Sequence, residues 1–200
     1  MAEQGSRVAR IERVTNETQI RLSVDLDGTG RADVETGIGF FDHMLCAFGR
    51  HGLFDLEVRV KGDLEVDGHH SVEDAGIVLG QAFARALEDK RGVRRFGSIM
   101  LPMDEALVLA ACDLSGRGQL HWDVDVPPVM LGGFDATLAK EFFIAFAANA
   151  GVTLHVRKLA GENVHHVLEA AFKAAARALR EAVEADERAA GDLPTTKGAL

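Results

Sequence analysis

The chain has 200 residues, 47% of them hydrophobic, and a net charge of −9. This supports a sizeable core in one large domain or two small ones, and the acidic balance argues against nucleic acid as the main partner. No run of about 18 apolar residues offers a membrane span; the opening MAEQGSRVARIERVT lacks a secretory apolar stretch; and Cys46 and Cys112 are unclustered, so a reduced, cytoplasmic setting is expected.

Residues 8–15 read as a weak strand, and Ile20, Leu22, Val24 and Leu26 alternate with polar residues as a half-buried strand does. Asp27-Gly28-Thr29-Gly30 is turn chemistry, with Arg31–Thr36 predicted to return as the hairpin partner. Phe41, Leu45 and Phe48 give Phe40–Arg50 helical spacing. Leu56, Val58 and Val60 alternate again, Gly62-Asp63 turns, and Leu64–Val66 is predicted as a further strand. His69–Glu88 then forms a long helix with an apolar stripe of Val72, Ala75, Leu79, Phe83 and Leu87.

The second half replays the first. Asp113-Leu114-Ser115-Gly116-Arg117-Gly118 matches Asp25-Leu26-Asp27-Gly28-Thr29-Gly30, between strands at Ala106–Ala111 and Leu120–Val124. A loop with Pro127-Pro128 and Gly132-Gly133 is extra to this copy. Helices are predicted over Leu138–Ala150, whose Phe142-Phe143 mirrors Phe40-Phe41, and from about His165 to Ala185, with Leu154-His155-Val156 as the strand between. The reading is an α+β fold of two-layer, internally duplicated β-β-α-β-β-α units. Residues 1–95 form the first half, 96–190 the second and 191–200 an extended tail, the whole packed as one unit.

The chemistry-bearing repeat is His69-His70-Ser71-Val72-Glu73, echoed by His165-His166-Val167-Leu168-Glu169. Residues three and four apart share a helix face, so each His can stand beside its Glu. Imidazole with carboxylate suits Mn, Fe, Co or Zn. Adjacent His residues point about 100° apart on a helix, so the simplest reading is two metal ions, each taking one His from each pair. The bland alternative is a pair of polar helix starts with capping His and Glu. The repeat also makes His43 and Glu141 candidate equivalent ligands, ahead of Phe142 in one copy and near Phe41 in the other. The ligand set is then His43, His69, His70, Glu73, Glu141, His165, His166 and Glu169. A basic cluster, Lys90, Arg91, Arg94 and Arg95, stands out from the acidic background; by itself it is an ordinary solvated loop.

These motifs, in order, resemble the imidazoleglycerol-phosphate dehydratase family. The resemblance runs over nearly the whole chain: Asp25–Gly30, Phe41-Asp42-His43-Met44-Leu45, His69–Asp74, Lys90–Gly97, Pro102–Ala106, Asp113–Arg117, His165–Lys173 and Thr195-Thr196-Lys197-Gly198. It implies a fold like the second domain of ribosomal protein S5, a dimanganese centre with about two Mn²⁺ per subunit, and a hollow homo-oligomer of about 24 subunits with the metals between them. It implies dehydration of imidazole glycerol phosphate to imidazole acetol phosphate in histidine biosynthesis. The ring would be held as a metal-bound imidazolate that expels the neighbouring hydroxyl through a diazafulvene-like intermediate. Catalysis is then assigned to Glu17, His43, His70, Glu73 and Glu169, with Glu17 also touching substrate as the acid/base group. Phosphate binding is assigned to Arg95, Arg117, Lys173, Thr195, Thr196 and Lys197, since guanidinium forks suit phosphate oxygens. Family members often carry His where this chain has Glu141; a carboxylate also binds Mn²⁺. His51, His121 and His155 read as structural, and Asp104 and Glu105 carry no assigned role. A metal-dependent hydrolase could use the same ligands, and a metal-storage protein would not need the anion-binding set.

Overall fold

Ile20, Leu22 and Val24 are buried while Gln19, Arg21 and Ser23 between them are not, so each strand has one dry face and one wet face. The computed structural model describes residues 7–198, and the last residues of the expected tail, 199–200, lie outside them. The first half runs β1 (Val8–Val14), β2 (Thr18–Asp25), β3 (Ala32–Glu35), α1 (Gly39–Gly52), β4 (Asp55–Gly62) and α2 (His69–Leu87). The second runs β5 (Phe96–Met103), β6 (Ala106–Asp113), β7 (Gln119–Asp123), two short strands β8 (Met130–Leu131) and β9 (Phe134–Asp135), α3 (Leu138–Ala150), β10 (Thr153–Ala160) and α4 (Val164–Val183). A 3-10 turn at Glu187–Ala189 follows.

The two main sheets have the same plan: β1-β2-β4-β3 and β5-β6-β10-β7. Each half therefore holds four main strands and two helices, the duplicated α+β unit expected. The helix α2 covers β1, β2 and β4, while α4 covers β5, β6 and β10. The halves meet helix to helix, α2 on α3 and α1 on α4, so a four-helix layer lies between the sheets. Fully buried rings fill it: Phe48 and Phe83 from the first half pack on Phe146 from the second at 6.1 and 5.2 Å between centroids. The close α2–α3 approach depends on Gly76 and Gly80. A Cβ at these positions would lie 2.5 Å from the Phe142 carbonyl oxygen and 2.6 Å from that of Phe146.

Three local expectations are corrected. Arg31–Thr36 is not the hairpin partner of β2: β3 pairs in parallel with β4 and is joined to it by α1, the crossover that parallel strands require. The carboxylate of Asp55 directs this path, accepting the backbone N–H groups of Thr29 at 2.7 Å and Arg31 at 2.9 Å. Leu64–Val66 is a turn, closed by the Val66 N–H on the Asp63 carbonyl at 2.8 Å; Leu64 and Val66 are exposed, since both edges of β4 are already paired. The extra loop carries a small hairpin, β8 with β9, turning at Gly132-Gly133. The strand β5 is not among the expected strands: it begins directly after the basic cluster and contains Pro102, which an edge strand tolerates. No helix among the described residues is long and apolar enough to cross a membrane.

Candidate metal centre

The contact of α1 with α4 brings both halves to one place. His43 sits in the first turns of α1, a start held by Asp42, whose carboxylate accepts the Thr36 N–H at 2.8 Å and hydroxyl at 2.6 Å. On α4, the Asn163 side chain caps the N–H groups of His165 at 3.0 Å and His166 at 3.4 Å. One turn later comes Glu169, whose side chain is only 9% exposed. The Nε2 atoms of His43 and His165 lie 3.3 and 3.1 Å from Glu169 Oε2, and one donor atom from each residue falls within 4.8 Å of the others. Burial pushes the Glu169 carboxyl up, but the Lys173 ammonium, 2.6 Å from Oε1, and His43 outweigh it and hold it below the usual range. Phe40 braces the His165 ring edge-on at 5.2 Å.

Two neutral-capable imidazoles and one ionised carboxylate are a donor set for a divalent ion such as Mn²⁺, with positions left open. The residues present therefore fit the group that the sequence implies.

The other histidines of the motifs lie apart from this cluster. His69 Nε2 is 3.8 Å from Glu73 Oε2 on its own helix. His70 is held through Nδ1 by Asp63, 3.0 Å away, with Nε2 3.8 Å from Glu17. His166 is held through Nδ1 by Glu105 at 2.8 Å, with Nε2 3.8 Å from Asp104. Hydrogen bonding to the carboxylate raises both rings' pKa above the ordinary value, and the His166 contact holds Glu105 down at about 2. Glu141 is in the first turn of α3 and makes no hydrogen bond or ion pair among the described residues. The helix that carries it, α3, packs on α2 as α1 packs on α4.

Of the residues expected to bind the anion, Arg95 and Arg117 gather around Asp113. Arg95 donates from Nε at 2.7 Å and Nη2 at 3.2 Å to its two oxygens, and from Nη1 to the Pro194 carbonyl at 2.7 Å. Arg95 has a left-handed backbone, φ 72°, which costs a non-glycine residue about 1–2 kcal/mol. Arg117 Nη2 lies 3.9 Å from Asp113 and is exposed. The bond to Pro194 brings the segment carrying Thr195, Thr196 and Lys197 to the same place. Lys173 is not among them; it stands with Glu169. His121 and His155 stack on the outer face of the second sheet, centroids 4.1 Å apart. Asp63, Asp104 and Glu105, which hold or face the second histidines of the two motifs, have no role in the sequence reading. Glu105 lies between the first two strands of its half, as Glu17 does in the other, and that repeat position was the available signal.

The family model described as imidazoleglycerol-phosphate dehydratase matches residues 36–179. Among curated proteins, the imidazoleglycerol-phosphate dehydratase of Acidiphilium cryptum is 63% identical over 98% of this chain and 100% of its own length. That of Paracoccus denitrificans is 60% identical over 97% of this chain and 100% of its own. Among solved structures, imidazoleglycerol-phosphate dehydratase from Staphylococcus aureus superposes with TM-score 0.81 at 36% identity, covering 90% of this chain and 99% of that one. The Pyrococcus furiosus protein, in complex with (S)-C348, gives TM-score 0.80 at 36% identity, covering 95% and 100%.

Proposed function

The chain belongs to the imidazoleglycerol-phosphate dehydratase family, and from that premise we propose how its own residues carry out the dehydration. The family performs the dehydratase step of histidine biosynthesis, the loss of water from imidazoleglycerol phosphate. The hydrogen to be removed is next to no carbonyl and is not acidic, so the substrate's imidazole ring must supply the electrons that expel the hydroxyl. Divalent metal, with Mn²⁺ the expected ion, supplies Lewis-acid charge that favours the anionic ring.

His43, His165 and Glu169 hold one such ion. His69, Glu73 and Glu141 hold a second, by the repeat that places α3 on α2 as α1 lies on α4. His70 and His166 belong to neither set within one chain, which supports a homo-oligomer, about 24 subunits by the family resemblance, in which they complete sites across subunit boundaries. Glu17, beside His70 and exposed, is the group that protonates the leaving hydroxyl and accepts the carbon-bound proton. Arg95 and Arg117 bind the phosphate. Asp113 and the Pro194 carbonyl take three of Arg95's N–H groups, leaving about two of its five donors for phosphate oxygens. Thr195, Thr196 and Lys197 close over it from the tail, and Lys173 acts on Glu169. The free thiols Cys46 and Cys112 fit a reducing cytoplasm.

The observation that carries this reading is the meeting of His43 and His165, from opposite halves, on the buried carboxylate Glu169. The test is turnover with metal analysis. Mn²⁺-loaded protein should release the acetol phosphate product and contain about two Mn per chain. Metal-loaded protein that forms no product overturns it.

A further inference from the structure

His70 and His166 are the second histidines of the two motifs, and neither joins the His43–His165–Glu169 cluster. Each ring is nonetheless fixed in the same sense. Nδ1 of His70 lies 3.0 and 3.2 Å from the two oxygens of Asp63. Nδ1 of His166 lies 2.8 Å from Glu105 Oε2. In both, Nε2 makes no close bond among the described residues; a carboxylate, Glu17 or Asp104, lies 3.8 Å away.

The two orienting carboxylates come from non-equivalent places. Asp63 follows β4 in the first half, whereas Glu105 sits between β5 and β6 in the second. Gene duplication copies positions, and here the geometry recurs although the position does not. A common demand on ring orientation explains this; inheritance alone does not. A metal-bound imidazole characteristically gives its other N–H to a carboxylate, which sets the tautomer and the angle of the ring.

We propose that Asp63 and Glu105 are positioning residues that hold His70 and His166 as Nδ1–H tautomers with Nε2 presented to a metal ion. This deepens the reading of these histidines as ligands and rests on it. Glu105 has a second attachment, accepting the Asn163 N–H at 3.0 Å, so its carboxylate is itself anchored to the start of α4.

The experiment uses full-length, metal-stripped protein with Glu105→Ala, Glu105→Gln and Asn163→Ala. Mn²⁺ affinity is titrated by electron paramagnetic resonance, and ¹⁵N-histidine spectra at alkaline pH report the His166 tautomer. Glu105→Ala should weaken Mn²⁺ binding about 10- to 100-fold. Glu105→Gln, which keeps an acceptor oxygen, should recover most of it. Parent affinity in Glu105→Ala overturns the proposal, as does an equal loss in Asn163→Ala, which disturbs only the helix cap. The spectra test it without metal: an Nε2–H tautomer for His166 overturns it even if Mn²⁺ binds, whereas Nδ1–H together with no Mn²⁺ binding by the parent refutes the ligand reading instead.

Discussion

At the scale of single residues, Arg7 links the two halves. Its Nε donates to Asp27 at 2.8 Å and its Nη1 to the Val183 carbonyl, at the end of α4, at 2.6 Å. The Arg7 guanidinium holds the Asp27 carboxyl below its ordinary 3.8. A depressed carboxyl contributes stability above its unfolded pKa and loses it as pH falls through the folded value. Asp27→Asn should therefore lower stability near neutrality, by about 0.2–1 kcal/mol for a half-exposed pair, and the difference should vanish in acid below the folded pKa. Thermal unfolding of the two proteins across that range checks it. In the sequence, Asp27 was legible only as a turn former, because Arg7 is distant in the chain. The same limit hid Asp63 and Glu105, whose roles exist only once a neighbouring loop folds against an imidazole. His43 was legible because the duplication gave it a counterpart to be compared with.

At the scale of elements, helical periodicity was enough to find all four helices, with ends displaced by a residue or two. Strand pairing was less legible. Alternation shows which face of a strand is dry but not which edge it joins: β2 is paired on both sides by β1 and β4, so β3 takes the free edge of β4. The α2–α3 seam yields the sharpest element-level prediction. Gly80 faces the Phe146 carbonyl and the Ala150 nitrogen, backbone atoms that cannot swing aside. Gly80→Leu should cost about 1–3 kcal/mol or more, despite the gain in helix propensity, and urea denaturation would show it. A more stable variant would mean that the seam can slide.

At the scale of the whole molecule, both sheets turn a wet face outward while the helices close against each other. The candidate ion-binding residues sit at helix starts, His43 on α1 and His165 on α4. On the reading proposed above, His70 and His166 complete sites across subunit boundaries and metal helps to join the subunits. Removing it with a chelator should reduce the particle to smaller species and restoring Mn²⁺ should rebuild it, as read by light scattering; an unchanged mass would separate assembly from metal. The overall plan was legible in the repeat, since each half spells out its own sheet and helices. Which residues would meet a neighbouring copy was not, because one chain's sequence carries no record of its neighbours.

The glycine-lined contact between α2 and α3 has an evolutionary corollary. A chain of half this length would have left its helical layer open to water, and only a second copy could have covered it. The fusion tied together a pair that already depended on each other, and afterwards each member was free to drift. Asp63 and Glu105 show the result: carboxylates from different places in the two copies, each holding the second histidine of its own motif.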